Sequence, residues 1–394
     1  MPCMKKRPWL MVSVIVLTAF CFSTCLCLAQ KTDGQQGEKP ATEQKDTEEK
    51  DPYAVPDGTA EELVAYIQNL MRTQPNSEEE YRKGVAALTE AADKILAAKP
   101  DDEQAAMAVN IKARFTQSAE KLAAFAAALK KAGKPKLARI VDRSLLVQEI
   151  RTAARGGAPD KKQVKETLGR IKKFLGEGEI DSGDVRLAMQ TAQICEMTDD
   201  ALALDAYSSF AKMFATNKDK QLAAIADMMQ GVINRLKLPG NEMTVEGDIL
   251  GGEKLDWSKY RGKVVLVDFW ATWCGPCVAE IPHLKKIYEA YHDRGFDILG
   301  ISLDDNRTTL EGFVKQSKIP WPIVYGKNGP SPTVEHYGVM SIPTMILVDK
   351  QGKVVSLRAR GENLREELTK LIGPMEEKPV GGEEPKEKKD GKDV

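Results

Sequence analysis

Residues 263–277 read KVVLVDFWATWCGPC and join an apolar run to two cysteines with two residues between them. The run at 263–269 predicts a strand in a sheet covered on both faces, since it is nearly continuous in apolar residues. Pro276 favours the first turn of a helix, where its missing N–H group is not needed. Cys274 would then lie at the N-terminus of that helix, where unpaired N–H groups stabilise a thiolate. The spacing also brings Cys277 within disulfide reach of Cys274, which indicates a pair suited to disulfide exchange.

The cysteine pair has two alternatives to a redox role: half of a zinc site, or a purely structural disulfide. Structural zinc needs four ligands, usually from two cysteine pairs or from histidines at short spacing. The sequence offers no second close pair beyond its first 30 residues, and His283 and His292 do not make a zinc finger. We therefore expect neither a metal nor a bound cofactor, with the pair itself as the redox group. We also expect no catalytic role for His283, His292 or His336.

The stretch VVLVDFWATWCGPC resembles the thioredoxin superfamily, and a second motif supports the likeness. Residues 337–344 (YGVMSIPT) precede an apolar strand, as the cis-proline loop of that family does. Residues 240–262 and an extra strand–helix segment around 304–325 resemble the exported TlpA/ResA-like branch. The resemblance covers about residues 238–373. It implies a thioredoxin-like α/β domain with a central mixed sheet, thiol-disulfide oxidoreductase activity and a cis Ile342–Pro343 bond.

The same resemblance implies roles for individual residues. Cys274 would attack a substrate disulfide, and Cys277 would resolve the mixed disulfide. Glu280 lies one helical turn after Cys277 and would move protons to and from the cysteines. Asp268 matches the buried acid of thioredoxin itself, and with a raised pKa it would suit the same task. Which acid is the main proton acceptor stays open, as do a solvated Glu280 and a merely structural Asp268. The residues implied in substrate binding are Trp273, Gly275, Pro276, Ile342 and Pro343.

Residues 58–237 have a different pattern, rich in alanine with leucine and charged residues at helical spacing. Alanine and straight-chain residues favour helix, so we predict an all-α domain here. Paired helices would give units of about 40 residues, which fits either an irregular bundle or a partial solenoid of the tetratricopeptide type. We predict eight helices, at residues 59–73, 77–98, 101–132, 135–155, 160–175, 181–195, 198–215 and 217–236.

Breaker residues and composition mark the ends of the two domains. The sequence LPGN at 238–241 separates the helical domain from a thioredoxin-like domain at 238–374. Residues 30–57 and 375–394 are polar, charged and poor in large apolar residues, so we expect a disordered linker and a disordered tail. The predicted fold class is therefore a two-part α+β chain, with the helices first and the α/β domain second.

The first 29 residues have the layout of an export signal, with KKR at 5–7 before a long apolar stretch. A cut before Gln30 would remove them. A retained membrane anchor and lipidation at Cys25 or Cys27 are the alternatives. Each of these outcomes places the rest of the chain outside the cytoplasm, most simply in the periplasm.

The net charge is −1, from 57 basic and 58 acidic residues, which excludes the basic excess typical of a nucleic-acid binder. The leading hypothesis is a cell-envelope oxidoreductase that reduces protein disulfides and is re-reduced by a membrane electron donor. The alternatives are a disulfide oxidase or isomerase, and a helical scaffold that binds a protein partner while its redox domain docks or senses oxidation. A peroxidase is disfavoured, because Ala271 stands where that activity would want a threonine. Cys195 is expected to be a buried structural thiol rather than a redox partner of the pair.

Overall fold

The protein, seen here as a computed structural model, is described over residues 51–155, 159–217, 219–326 and 329–375. Within these residues, nine helices precede a mixed sheet of six strands that has four further helices. The predicted fold class is confirmed: an all-α part is followed by a thioredoxin-like α/β part. The predicted leader at 1–29 lies outside the described residues, as do most of the linker at 30–57 and all but the first residue of the tail at 375–394.

The nine helices make up the helical part, residues 60–236. Most of them begin at a Ser, Thr or Asp residue whose side chain accepts a hydrogen bond from the first turn. At Thr59 and Asp101 the backbone N–H also donates to the side chain of Glu62 and of Gln104, respectively, so both starts are capping boxes. The helices are α1 (Ala60–Leu70), α2 (Glu78–Ala97), α3 (Asp102–Phe115), α4 (Ala119–Lys131), α5 (Pro135–Ala153), α6 (Lys161–Gly176), α7 (Ser182–Thr198), α8 (Asp200–Ala215) and α9 (Lys220–Leu236).

The single helix predicted over 101–132 is wrong, because two helices occupy this stretch. The backbone at Thr116 is extended, and its carbonyl accepts a hydrogen bond from the Gln148 side-chain amide at 2.8 Å. Ser118 then caps α4 by accepting from the backbone N–H of Lys121 at 3.2 Å. A contact from a later helix therefore stabilises a break that local helix propensity opposes.

The strands and the four later helices make up the sheet part, residues 239–373. The strand order is β1-β4-β3-β2-β5-β6, with β2 parallel to β3 and antiparallel to β5. Every residue of β2 is buried, as predicted for a strand in a sheet covered on both faces. The elements are β1 (Asp248–Ile249), β2 (Val264–Trp270), α10 (Gly275–Tyr291), β3 (Phe296–Ser302), α11 (Arg307–Gln316), β4 (Ile323–Tyr325), α12 (Pro332–His336), β5 (Thr344–Val348), β6 (Val354–Ser356) and α13 (Gly361–Leu371).

Apolar packing joins the two parts into one compact unit. Tyr207, Phe210 and Phe214 of α8 lie at the centre of the largest helical core, each fully buried. Met340 and Leu357, which belong to the sheet part, pack against this same core. The loop before β5 is therefore held partly by the helices.

Two glycines bring α9 into backbone contact with the segment that leads to this loop. A Cβ atom on Gly231 would lie 2.6 Å from the carbonyl oxygen of Glu335. Gly338 has a φ of +54°, and a Cβ atom there would lie 2.3 Å from the backbone nitrogen of Val232. Because real Cβ atoms do not approach so closely, this crossing requires glycine on both sides.

Among the residues that the structure describes, no helix combines the length and apolarity that a membrane crossing needs.

Candidate active site

The cysteine pair lies where β2 ends and α10 begins. Cys274 is the N-cap of α10, and its Sγ atom accepts a hydrogen bond from the backbone N–H of Cys277 at 3.2 Å. Pro276 occupies the first turn, as predicted. The two cysteines form a disulfide with Cα atoms 5.2 Å apart, and both are nearly buried. The geometry directs the free N–H groups of a helix start at the sulfur of Cys274.

A buried aspartate fixes the loop that carries the pair. Asp304 follows β3, and its carboxylate accepts hydrogen bonds from the Thr272 backbone N–H at 3.1 Å and the Thr272 hydroxyl at 2.5 Å. The Ser302 hydroxyl donates to the same carboxylate at 2.9 Å. Sequence reasoning missed Asp304. The available signal was an acidic residue two positions after the end of a buried strand that neighbours β2.

Asp268 lies on β2 and is 5% exposed. Its Oδ1 atom is buried with no hydrogen-bond partner among the described residues. Burial raises the pKa of this carboxyl from 3.8 to about 7; the charge of Glu280 adds to the rise, and Arg360 opposes it. A carboxyl in this state exchanges protons near neutral pH.

Glu280 lies on α10, one turn after Cys277, and its side chain is mostly covered. Its Oε2 atom accepts a hydrogen bond from Nε of Arg360 at 3.2 Å. Arg360 precedes α13 and was not identified from the sequence, because it lies 80 residues from its partner and no motif marks it. The pair Glu280–Arg360 thus lies close enough to affect Asp268 electrostatically.

The other predicted residues lie in two segments, the start of α10 and the cis-proline loop. The Ile342–Pro343 peptide bond is cis, and Ile342 packs against the apolar cluster that includes both cysteines. Pro343 stands directly before β5, whose Thr344 pairs with Phe269 of β2. Trp273 is 66% exposed, and Gly275 and Pro276 are also exposed. Three of the predicted substrate-binding residues are therefore exposed next to the cysteines in sequence, while the cysteines themselves are nearly buried.

Cys195 is the free cysteine of the described residues and is fully buried in the helical core. Burial, together with the charge of Asp205, raises the pKa of its thiol to about 12. It therefore stays protonated and packs as an apolar group. The described residues contain no cluster of three or more His, Cys, Asp or Glu side chains placed to hold a metal ion.

Comparison with known proteins decides the family. The family model described as Redoxin matches residues 239–372. The thiol-disulfide oxidoreductase ResA of Bacillus thuringiensis subsp. konkukian is 34% identical over 123 residues, which are 31% of this chain and 69% of that protein. This chain belongs to the ResA-like thiol-disulfide oxidoreductases. ResA of Halalkalibacterium halodurans is similar at 33% identity over 127 residues, or 32% of this chain and 71% of that protein.

The residues matched by the Redoxin family model lie within the sheet part. A crystal structure of the thioredoxin domain of a thiol-disulfide oxidoreductase from Bacteroides vulgatus is 32% identical, with a TM-score of 0.32. It covers 34% of this chain and 97% of that chain. The Redoxin match begins at residue 239, after the last residue of α9, so it does not cover the helical part. The predicted oxidoreductase class and the predicted TlpA/ResA-like branch are both confirmed.

Proposed function

We propose that this oxidoreductase reduces disulfide bonds of proteins outside the cytoplasm, with Cys274 as the attacking sulfur and Cys277 as the resolving one. The observation that carries the proposal is the cysteine pair at the start of α10, directly after β2, the strand that carries the buried carboxyl of Asp268 with a pKa raised to about 7. Disulfide exchange requires a thiolate that attacks and a group that accepts the proton of the resolving thiol.

The first step is attack by the Cys274 thiolate on one sulfur of the substrate disulfide. The start of α10 stabilises this thiolate, and the N–H of Cys277 donates to it. The Cys274–substrate bond forms as the substrate S–S bond breaks, and the released substrate thiolate takes a proton from water.

The second step is attack by Cys277 on the Cys274 sulfur of the mixed disulfide. Cys277 gives up its proton, the 274–277 bond forms, and the second substrate thiolate leaves. Two electrons have then passed from the cysteine pair to the substrate. This step would leave the cysteine pair oxidised, as in the structure.

We assign the proton acceptor of the second step to Asp268 and the exchange with water to Glu280. Asp268 has an unpartnered Oδ1 atom and a pKa close to neutral pH, so it can accept one proton and release it again. Glu280 accepts a hydrogen bond from Arg360, and a small part of its side chain is exposed to water. The two acids would therefore act in series.

The cellular setting is also part of the proposal. The export signal predicted at 1–29 would carry the chain out of the cytoplasm, and a linker at 30–57 and a tail at 375–394 would flank two domains at 58–237 and 238–374. Each turnover leaves the pair oxidised, so a membrane electron donor would have to reduce it again. The Gly275-Pro276 sequence between the cysteines supports the reducing direction.

The reduction potential of the Cys274/Cys277 pair tests this direction. A value near or below about −250 mV in defined thiol buffers is expected for a reductant. A value above about −200 mV would make the protein an oxidant or isomerase and would reverse the proposed electron flow.

The order of the cysteines is tested by trapping. Reduced Cys277→Ser protein should accumulate covalent adducts with disulfide-containing proteins, because Cys274 attacks but nothing resolves the product. Cys274→Ser should form none. Cys195→Ala is the matched control and should behave like the unaltered protein. Adducts on Cys274→Ser instead would exchange the two roles, and no adducts on either would favour the scaffold alternative.

A further inference from the structure

A cleft of about 180 Å³, lined by both polar and apolar side chains, lies between the helical part and the cis-proline strand. The helical part contributes Glu196 at the end of α7 and Arg235 near the end of α9. The sheet part contributes Pro343 and Thr344 on one side and Arg358 and Arg360 on the other. We call it the arginine cleft, and these six residues define it.

The arginine cleft adjoins the redox centre at two points. Pro343 is the cis residue directly before β5. Arg360 binds Glu280, which lies one helical turn after Cys277. A polypeptide whose disulfide reaches Cys274 past the cis-proline would therefore have neighbouring side chains at the cleft.

Three arginines and one glutamate line the cleft, and each arginine pairs with an acid. Arg235 is buried, and its guanidinium already has two partners. It pairs with Glu196 at 2.8 Å and donates to the Tyr337 carbonyl at 3.3 Å. Arg358 and Arg360 are each about half exposed, as is Asp200, the partner of Arg358 at 2.7 Å. Exposed ion pairs contribute little, so Arg358 can exchange Asp200 for a ligand carboxylate. Arg360 can bind the same carboxylate through its Nη atoms while its Nε atom stays on Glu280.

The helical wall of the cleft is held in place. The backbone crossing of Gly231 with Gly338 fixes α9 against the segment that leads to the cis-proline loop. Arg358 also donates to the carbonyl oxygen of Glu196, which ties the two sides together. A fixed cleft reduces the ordering that binding would otherwise cost.

We propose that the arginine cleft binds an acidic side chain of the substrate protein, close to the disulfide that the cysteine pair reduces. This rests on the proposed function and adds a role for the helical part, which builds one wall of the substrate site. The carboxylate would bind Arg358 and Arg360 from the open side of the cleft. Substrates with Asp or Glu beside their cysteines are then preferred over neutral ones.

Two peptides test this preference. They share the same intramolecular disulfide and differ only in carrying glutamates or glutamines on both sides of each cysteine. With the reduced full chain at low ionic strength, kcat/KM should be about tenfold higher for the glutamate peptide. The preference should shrink strongly at about 0.5 M salt, since exposed charges are screened.

Variants of Arg358 connect the preference to the cleft. Arg358→Gln should lower the glutamate-to-glutamine ratio to about threefold or less, and Arg358→Lys should retain more of it because the charge remains. Because each ratio compares two peptides on the same variant, any loss of folded protein lowers both kcat/KM values equally and leaves the ratio unchanged. Arg307→Gln is the matched control, as Arg307 is similarly exposed and paired with Glu311, and it should leave the ratio unchanged.

The outcomes separate the two proposals. Equal kcat/KM for both peptides, or an undiminished ratio in Arg358→Gln, would overturn the acidic subsite while leaving disulfide reduction intact. Failure to reduce either peptide would overturn the proposed function itself.

Discussion

Two buried aspartates, Asp184 in the helical part and Asp268 in the sheet part, differ in whether their charges are paired. Asp184 of α7 is fully buried and binds Arg139 at 2.9 Å and Arg143 at 3.1 Å. Asp268 of β2 is almost as buried, but its Oδ1 atom has no hydrogen-bond partner among the described residues. The chain therefore satisfies a buried charge in one part and leaves one unsatisfied in the other.

The difference shows that burial alone does not identify a functional acid. A buried carboxylate with two guanidinium partners holds helices together through its charge. A buried carboxylate without a partner disfavours its own ionisation, so its pKa rises into the range where proton transfer at neutral pH is efficient. Pairing, rather than depth, separates the structural aspartate from the chemical one.

The largest expected effect concerns Asp268 and pH. Its folded pKa of about 7 exceeds the ordinary value of 3.8, so its stabilising contribution is complete below about pH 4 and is lost as pH rises through 7. The loss is about 4 kcal/mol in the free energy of unfolding, since each pKa unit is about 1.4 kcal/mol. Denaturant unfolding of the oxidised protein between pH 4 and 8.5 measures it.

Asp268→Asn is the comparison for this pH profile. The amide cannot ionise, so the difference in stability between variant and unaltered protein isolates the contribution of Asp268. We expect the variant to gain on the unaltered protein as pH rises. A difference that is constant from pH 4 to 8.5 would show that Asp268 has an ordinary pKa, and its assignment as proton acceptor would fail.

The next largest effect should come from breaking the paired aspartate. Arg143→Met removes one partner of Asp184 and should lower the free energy of unfolding by about 3 kcal/mol. This value is at the lower end of the range for a broken buried ion pair, because Arg139 still pairs with Asp184. The reduction potential of the cysteine pair should not move. A loss under about 1 kcal/mol would mean that Asp184 is not held by its charge pairs.

A smaller effect is expected at the glycine crossing between the two parts. Gly231→Ala gains helix propensity but forces a methyl group against the Glu335 carbonyl, for a net loss of about 1–2 kcal/mol. Gly169→Ala is the matched control: it lies in α6 with nothing within 4 Å of the added Cβ, so it should stabilise by about 0.5–1 kcal/mol. Stabilisation by both substitutions would show that the crossing is loose.

The smallest effect is expected for an exposed pair. Arg307 binds Glu311 at 2.9 Å within α11, and both side chains are about half exposed. Arg307→Gln should change the free energy of unfolding by less than about 0.5 kcal/mol. A change as large as that of Arg143→Met would remove the distinction between buried and exposed pairing in this molecule.

The sequence carried most of the local information about the fold. Helical spacing predicted the helices from 59 to 236, and the apolar run predicted β2, because these patterns depend on near neighbours. The break at Thr116 was not predictable in this way, since Gln148 supplies its hydrogen bond from 32 residues away. Local propensity favours one helix there, and a tertiary contact favours two.

The same distinction between near and distant neighbours applies to the active site. The motif WATWCGPC placed the cysteines at a helix start, and the structure has them there. Asp304 and Arg360 were missed, because Asp304 reaches Thr272 from 32 residues away and Arg360 reaches Glu280 from 80. Residues that contact the motif from distant parts of the chain cannot be recognised by their spacing from it.

The crossing of Gly231 and Gly338 also limits which substitutions can be accepted at these two positions during evolution. Each glycine leaves room only for the backbone of the other, so a side chain at one position cannot be absorbed by shrinking the other. The two positions should therefore be kept together, or lost together, among proteins that join such helices to a ResA-like part. A related chain with a bulky residue at either position must attach its helices elsewhere, and its disulfide site would then lack this helical wall.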